Sequence, residues 1–175
     1  DGTGFVPASG TGTNGVLVVL EAAGEDEARE GIPTVGRAGY YLWNNLLKAG
    51  IQREPFKIHN CLSCRPPNNK LVGMPYEAAA IAQCSQYLDA TIREHVDASN
   101  RLGLHPTILA LGKTAFARVS GWPRDHAGWR EDYQCYVHWS DRTRCWVIAA
   151  DHPSYLMRGQ HQYVTVLQYA AQRAV

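Results

Sequence analysis

Three residues of this sequence carry side chains of the right type, at the right places, to do chemistry: Glu21, Asn60 and His152. Glu21 follows the apolar run Val16-Leu17-Val18-Val19-Leu20, and His152 follows Trp146-Val147-Ile148-Ala149-Ala150 with only Asp151 between. Asn60 ends the segment PFKIHN. A carboxylate can accept a proton or offset a developing positive charge, and an imidazole can donate or accept one. A side-chain amide offers a donor and an acceptor side by side. A carboxylate and a histidine on two strand tips make the beginning of an active site. A second group, Cys61-Leu62-Ser63-Cys64 with Cys84 further on, has metal-ligating types but only half the spacing of a zinc ribbon.

These residues need a frame that brings distant tips together. Continuous apolar runs such as Val16 to Leu20 suit parallel strands covered on both faces. In open α/β sheets, ligands collect beyond the carboxyl ends of the strands, where Glu21 lies. Further strands are expected over Pro55–Asn60, Pro106–Leu111 and Cys145–Ala150. Helices are expected over Arg37–Ala49, closed by Gly50, over Tyr76 to about Asp97, over Thr114–Val119, and over Gln162–Ala174. Strand and helix alternate four times, which predicts an α/β three-layer sandwich with a central four-stranded parallel sheet and helices on both faces. Residues 1–14 read as a loop lead-in, the glycine-bearing stretch after Glu21 as a loop, and the tryptophan-rich residues 121–144 as a hairpin or an irregular insertion.

Composition limits the alternatives. At 175 residues the chain fits one domain, 1–175, with a real core. Apolar residues make up 45% and charged residues 19%, ordinary for a globular protein. The formal net charge of +1 provides no global basic field, so any nucleic-acid contact must be local. No apolar run approaches bilayer length, and no signal peptide is visible. The sequence starts at Asp1 without a methionine, so a segment missing upstream is expected. Five cysteines, with nothing marking secretion, favour metal ligation or reduced thiols over full disulfide pairing. Cys135 and Cys145 read as buried thiols or as a close pair across a hairpin.

Taken in order, Glu21-Ala22-Ala23-Gly24, then Gly31-Ile32-Pro33-Thr34-Val35-Gly36-Arg37-Ala38-Gly39, then Asn60 with Cys64-Arg65-Pro66-Pro67 and Asn69, then Cys84, then His152-Pro153-Ser154-Tyr155-Leu156-Met157-Arg158, resemble the family 4 uracil-DNA glycosylases. Their phage DNA-polymerase-related cousins in the same superfamily are also similar. The resemblance spans about Val16 to Arg158 and implies hydrolysis of the N-glycosidic bond of uracil in DNA. The base leaves the stack, is held by its Watson–Crick edge, and departs as an anion. The resemblance assigns His152 as donor to uracil O2, Glu21 as the carboxylate that orients water and offsets charge on the sugar, and Asn60 as reader of the base. Ala22, Gly24 and Thr34 match positions that line the base. Ser154, Leu156, Met157 and Arg158 match a loop that enters the duplex, and Arg65, Asn69 and Lys70 a loop facing phosphate. The implied partner is uracil-containing DNA, single- or double-stranded, acted on by a monomer in the cytoplasm of a prokaryotic or phage-infected cell, with no membrane.

The same resemblance implies a [4Fe–4S] cluster with four thiolates. Cys64 and Cys84 match its last two ligands. The first pair belongs ahead of the first strand, where residues 1–15 have no cysteine. Either that pair lies upstream of Asp1, or the cluster is absent, or another cysteine such as Cys61 stands in. Other departures bear on activity. Thr34 replaces the phenylalanine that stacks on uracil, and Leu20 and Ala23 replace the glycine and proline that flank the motif carboxylate. Residues 61–75 contain no histidine, against the chemistry of the crosslinking relatives. Two other functions stay open: a non-catalytic DNA-binding module, and a glycosylase for another damaged base.

Overall fold

Strand β1 (Val16–Ala22) occupies the interior of the fold because its side chains are apolar on both sides, and alternate residues point to opposite faces. Val16, Val18 and Leu20 face one layer, where Leu42 and Leu46 of helix α2 (Arg37–Lys48) cover them. Leu17 and Val19 face the other, under Leu88 and Ile92 of helix α3 (Glu77–Arg101) and Phe116 and Val119 of helix α4 (Lys113–Ser120). The expected three layers are therefore present. The computed structural model describes residues 4–131, 135–154 and 170.

The sheet is larger than the sequence suggests. It runs β2 (Lys57–Leu62), β1, β3 (Thr107–Leu111), β6 (Cys145–Ala150), β5 (Cys135–Ser140), β4 (Gly128–Arg130). The first four are mutually parallel, as expected. The last two, from the tryptophan-rich stretch, continue the sheet antiparallel beyond β6. That stretch lacks clean alternation because β4 is wholly exposed and β5 only partly covered, which hides the period-2 signal. The hairpin also decides between the two readings of Cys135 and Cys145. Cys145 lies opposite Ser140 and packs on the α3 and α4 side, whereas Cys135 is buried on the α2 side. Both are buried thiols.

A short helix α1 (Glu25–Glu30) stands where a loop is expected. Three acidic residues fill its first turn, a placement the helix dipole favours, and its buried face is absent, which removes the apolar period a sequence reading needs. The lead-in is a loop that touches the sheet edge, with the Ser9 N–H on the Ile58 carbonyl at 3.0 Å and the Ile58 N–H on that of Ser9 at 2.8 Å. Of the helix expected over Gln162–Ala174 only Ala170 is described, helical and buried. Among the described residues no helix is long and apolar enough to cross a membrane.

Candidate active site

Parallel pairing sets the four strand tips level. Leu20 pairs with Asn60, and Leu111 with Ala150. Glu21, Asn60 and His152 thus converge on one cleft of about 510 Å³ at the carboxyl end of the sheet, and Ala22, Gly24, Thr34, Asn69 and Ser154 line it too. The β3 tip contributes Gly112 at φ +99°, where an added Cβ would lie 3.5 Å from the His152 Cβ. That is an ordinary van der Waals distance, so it is the positive φ and not lack of space that calls for glycine here.

Each polar group is held differently. The Ser154 N–H donates to His152 Nδ1 at 3.2 Å, and the Ser154 hydroxyl lies 3.1 Å from the same nitrogen. An Nδ1 that accepts from a backbone N–H carries no proton, so the neutral ring holds its hydrogen on Nε2. Burial pushes the His152 pKa below its ordinary 6.5, with the Glu27 carboxylate opposing. Burial and the Ser154 N–H bond to Nδ1 together keep the imidazole a neutral donor through Nε2. Burial, and secondarily the Glu77 carboxylate, raise the Glu21 pKa above 4.5, which makes Glu21 a stronger base. Asn60 is 2% exposed, and its amide has no hydrogen-bond partner among the described residues.

The walls are tied by Glu27, a residue the sequence reading passed over. Its Oε2 accepts the Gly24 N–H at 3.0 Å and its Oε1 accepts the Gly36 N–H at 2.7 Å. One carboxylate clasps the loop after β1 to the loop before α2. The sequence signal was available: a glutamate three residues after the helix N-cap is half of a capping box. Gly39 is equally constrained, since a Cβ there would lie 2.2 Å from the Thr34 carbonyl oxygen.

Thr34 has a backbone φ of +58°, costly for a β-branched residue. Its hydroxyl donates to the Pro33 carbonyl at 2.7 Å and accepts from Trp43 Nε1 at 2.9 Å. The Arg53 guanidinium closes this cluster on the Pro33 carbonyl at 2.6 Å. The Thr34 hydroxyl is thereby engaged away from the base-holding groups.

The expected DNA-facing residues divide. Asn69 reaches the cleft, at the end of a turn in which Asn68 and Asn69 both take left-handed φ, a conformation asparagine tolerates. Arg65 does not line the cleft. It donates to Asn69 Oδ1 at 2.7 Å and pairs with Glu25 at 2.9 Å, which fixes the turn. Lys70 is exposed, and its carbonyl accepts the Tyr76 hydroxyl. Leu156, Met157 and Arg158 lie outside the described residues.

Cys64 and Cys84 come together. Burial, and then the Cys84 thiol beside it, raise the Cys64 pKa. Cys61 does not join them. It is fully buried among Leu17, Leu88 and Phe116, with burial pushing its thiol up to about 12. It is a strand residue facing the core, whereas Cys64 lies past the strand end, so the spacing of three does not put both on one side. Among the described residues no group of three or more histidine, cysteine or acidic side chains could hold a metal. The chain therefore supplies two adjacent thiols, half of a four-thiolate set.

A parallel α/β sheet with a carboxylate, an amide and a neutral histidine at its carboxyl end is the arrangement of a base-excising enzyme, and the comparisons with known proteins agree. The sequence model of the Uracil DNA glycosylase superfamily matches residues 8–172, and the chain belongs to that superfamily. Within it, the chain is similar to proteins named type-4 uracil-DNA glycosylase. The Thermotoga maritima protein is 34% identical over 162 residues, covering 90% of this chain and 74% of the relative. That of Archaeoglobus fulgidus is 41% identical over 86 residues, 49% of this chain and 41% of the relative. That of Sulfurisphaera tokodaii is 40% identical over 91 residues, 51% of this chain and 40% of the relative.

Proposed function

We propose that this chain is a uracil-DNA glycosylase, a single domain that hydrolyses the N-glycosidic bond of uracil in DNA and leaves an abasic site. The observation that carries this reading is the convergence of Glu21, Asn60 and His152 on one cleft, with His152 Nδ1 accepting the Ser154 N–H. Uracil leaves the stack and enters the cleft, where the Asn60 amide meets its edge with one donor and one acceptor. The C1′–N1 bond breaks with its electron pair going to the base, and His152 Nε2–H bonds the charge gathering on O2. Water adds to C1′ and gives a proton to Glu21, whose negative charge beforehand offsets the positive charge developing on the sugar. No step passes through a metal.

DNA is bound locally, by Asn69 and Ser154 at the cleft with Arg65 and Lys70 in the neighbouring turn, and by Leu156, Met157 and Arg158, whose part rests on the sequence motif alone. Cys64 and Cys84 are the two thiols of this chain that would hold a [4Fe–4S] cluster, and a cluster bound there would brace the turn that carries Arg65 and Asn69. The protein acts as a monomer in the cytoplasm of a prokaryotic or phage-infected cell. A second reading, a DNA-binding module without catalysis, draws on Thr34, whose buried hydroxyl serves Trp43 and presents no aromatic face to a base. Incubation with uracil-containing and matched control oligonucleotides, followed by alkali, separates the two. Cleavage at uracil alone supports the glycosylase. Binding without cleavage supports the module.

A further inference from the structure

We propose that the ion pair between Arg124 and Asp151 positions the His152 loop, so that the segment feeding the added hairpin sets the orientation of the donor. This rests on the glycosylase reading for its catalytic consequence, though not for its structural one.

Asp151 is the residue between the β6 tip and His152, and Arg124 Nη1 bonds its Oδ1 at 2.5 Å. The pair is only partly exposed, at 22% and 36% of the two side chains. The guanidinium carbon also lies 5.5 Å from the centre of the Tyr136 ring. Tyr136 belongs to β5 and pairs with Ala149 of β6, two residues before Asp151. Arg124 is therefore held between a ring fixed in the sheet and the carboxylate at the tip. It projects from a 3-10 turn, Arg124–His126, that is itself braced. The Ala127 N–H bonds the Arg124 carbonyl at 3.1 Å, and Trp122 stacks on His126 at 4.7 Å.

The β6 tip needs such an anchor. The Ala150 carbonyl accepts the Gly112 N–H at 2.9 Å, and this is where sheet bonding stops. Beyond it, among the described residues, the hydrogen bonds to the His152 ring come from Ser154, two residues on in the same loop. Those bonds fix the ring relative to its loop, and the Asp151–Arg124 pair fixes the loop relative to the sheet. Gly112, beside the histidine, has no side chain with which to hold it. Releasing Asp151 lets loop and ring drift together. A displacement of about 1 Å can cost as much as a hundredfold in rate. A partly exposed pair contributes little to overall stability. Geometry at the donor is thus its larger effect.

The test uses the intact protein in four variants. Arg124→Ala and Asp151→Asn should each lower the single-turnover excision rate by roughly tenfold, with affinity for abasic-site DNA unchanged. The double variant should be no worse than either single one, because both remove one interaction. Arg124→Lys should recover part of the rate. A second readout is independent of activity. Imidazole ¹⁵N NMR should show His152 as a single Nε2–H tautomer in the wild type and a mixture in Arg124→Ala. Excision within about twofold of wild type and an unchanged His152 spectrum, with a lowered thermal midpoint, would show that the pair only braces the hairpin and overturn the proposal. If the wild type excises no uracil while the spectrum still responds to Arg124→Ala, the glycosylase reading falls and the positioning stands.

Discussion

Replacing Glu27 by alanine tests whether the cleft walls depend on one carboxylate. The substitution removes two backbone hydrogen bonds to a charged acceptor, from Gly24 at 3.0 Å and Gly36 at 2.7 Å. Bonds to charged groups are worth about 1.5–3 kcal/mol each. Glu27 is partly exposed, so the lower figure applies and the two together come to about 3 kcal/mol. The freed N–H groups regain part of this from water, which leaves an expected loss of about 2 kcal/mol, or about 30-fold in the folding constant. Glu27→Gln keeps one acceptor oxygen and offers an NH₂ where the other was, so it should lose at least half as much. Because the two loops frame the base, both variants should also slow single-turnover excision, alanine by roughly 10- to 100-fold. Urea unfolding gives the first quantity and a rapid-quench assay on a uracil oligonucleotide the second. An alanine variant within about 0.5 kcal/mol of wild type and cleaving at the wild-type rate would refute the clasp.

Other expectations follow from the same geometry. His152→Ala should cost roughly 10²–10³-fold in excision, the usual loss for one donor at a developing anion, with little change in affinity for abasic-site DNA measured by fluorescence anisotropy. The pH–rate profile should show one steep acid limb. Glu21 must be ionised and its pKa is raised from 4.5, while His152 must be neutral and its pKa is lowered from 6.5, so both requirements fail in the same direction, as the pH falls. A limb above pH 6.5 would contradict the burial of His152. Asn60→Asp should lower uracil excision, because the amide donor is replaced by an acceptor, and activity equal to wild type would remove Asn60 from base reading. Gly39→Ala should disrupt the cleft wall by driving a Cβ to 2.2 Å from the Thr34 carbonyl, seen as a lower thermal midpoint.

The legible parts of this sequence were those with a simple period or a positional rule. Four apolar runs announced the parallel core, and Gly50 and Gly112 marked where a helix and a strand stop. Glu21 and His152 were legible because each comes just after such a run, and Asn60 because it ends the second expected strand. The antiparallel extension was not, since β4 shows three exposed residues in a row and β5 mixes both faces. Helix α1 escaped because it buries nothing. The Arg65–Glu25 and Arg124–Asp151 pairs join residues 40 and 27 positions apart, and nothing local in a sequence announces such partners. Thr34 was legible as a missing ring, but its bond to Trp43 required the two elements to be folded against each other.

The level alignment of the strand tips has a kinetic consequence. Glu21 comes from β1, Asn60 from β2 and His152 from just past the end of β6, with β3 lying between β1 and β6. These positions are separated by up to 131 residues of chain, and parallel pairings of such range are slow to form because loop closure precedes any gain from contact. Half a molecule, or a collapsed intermediate holding β1 against β2 alone, presents a carboxylate and an amide but no donor for the departing base. Excision therefore reports completion of the whole sheet. A nascent or partly unfolded copy can touch DNA without cutting bases from it.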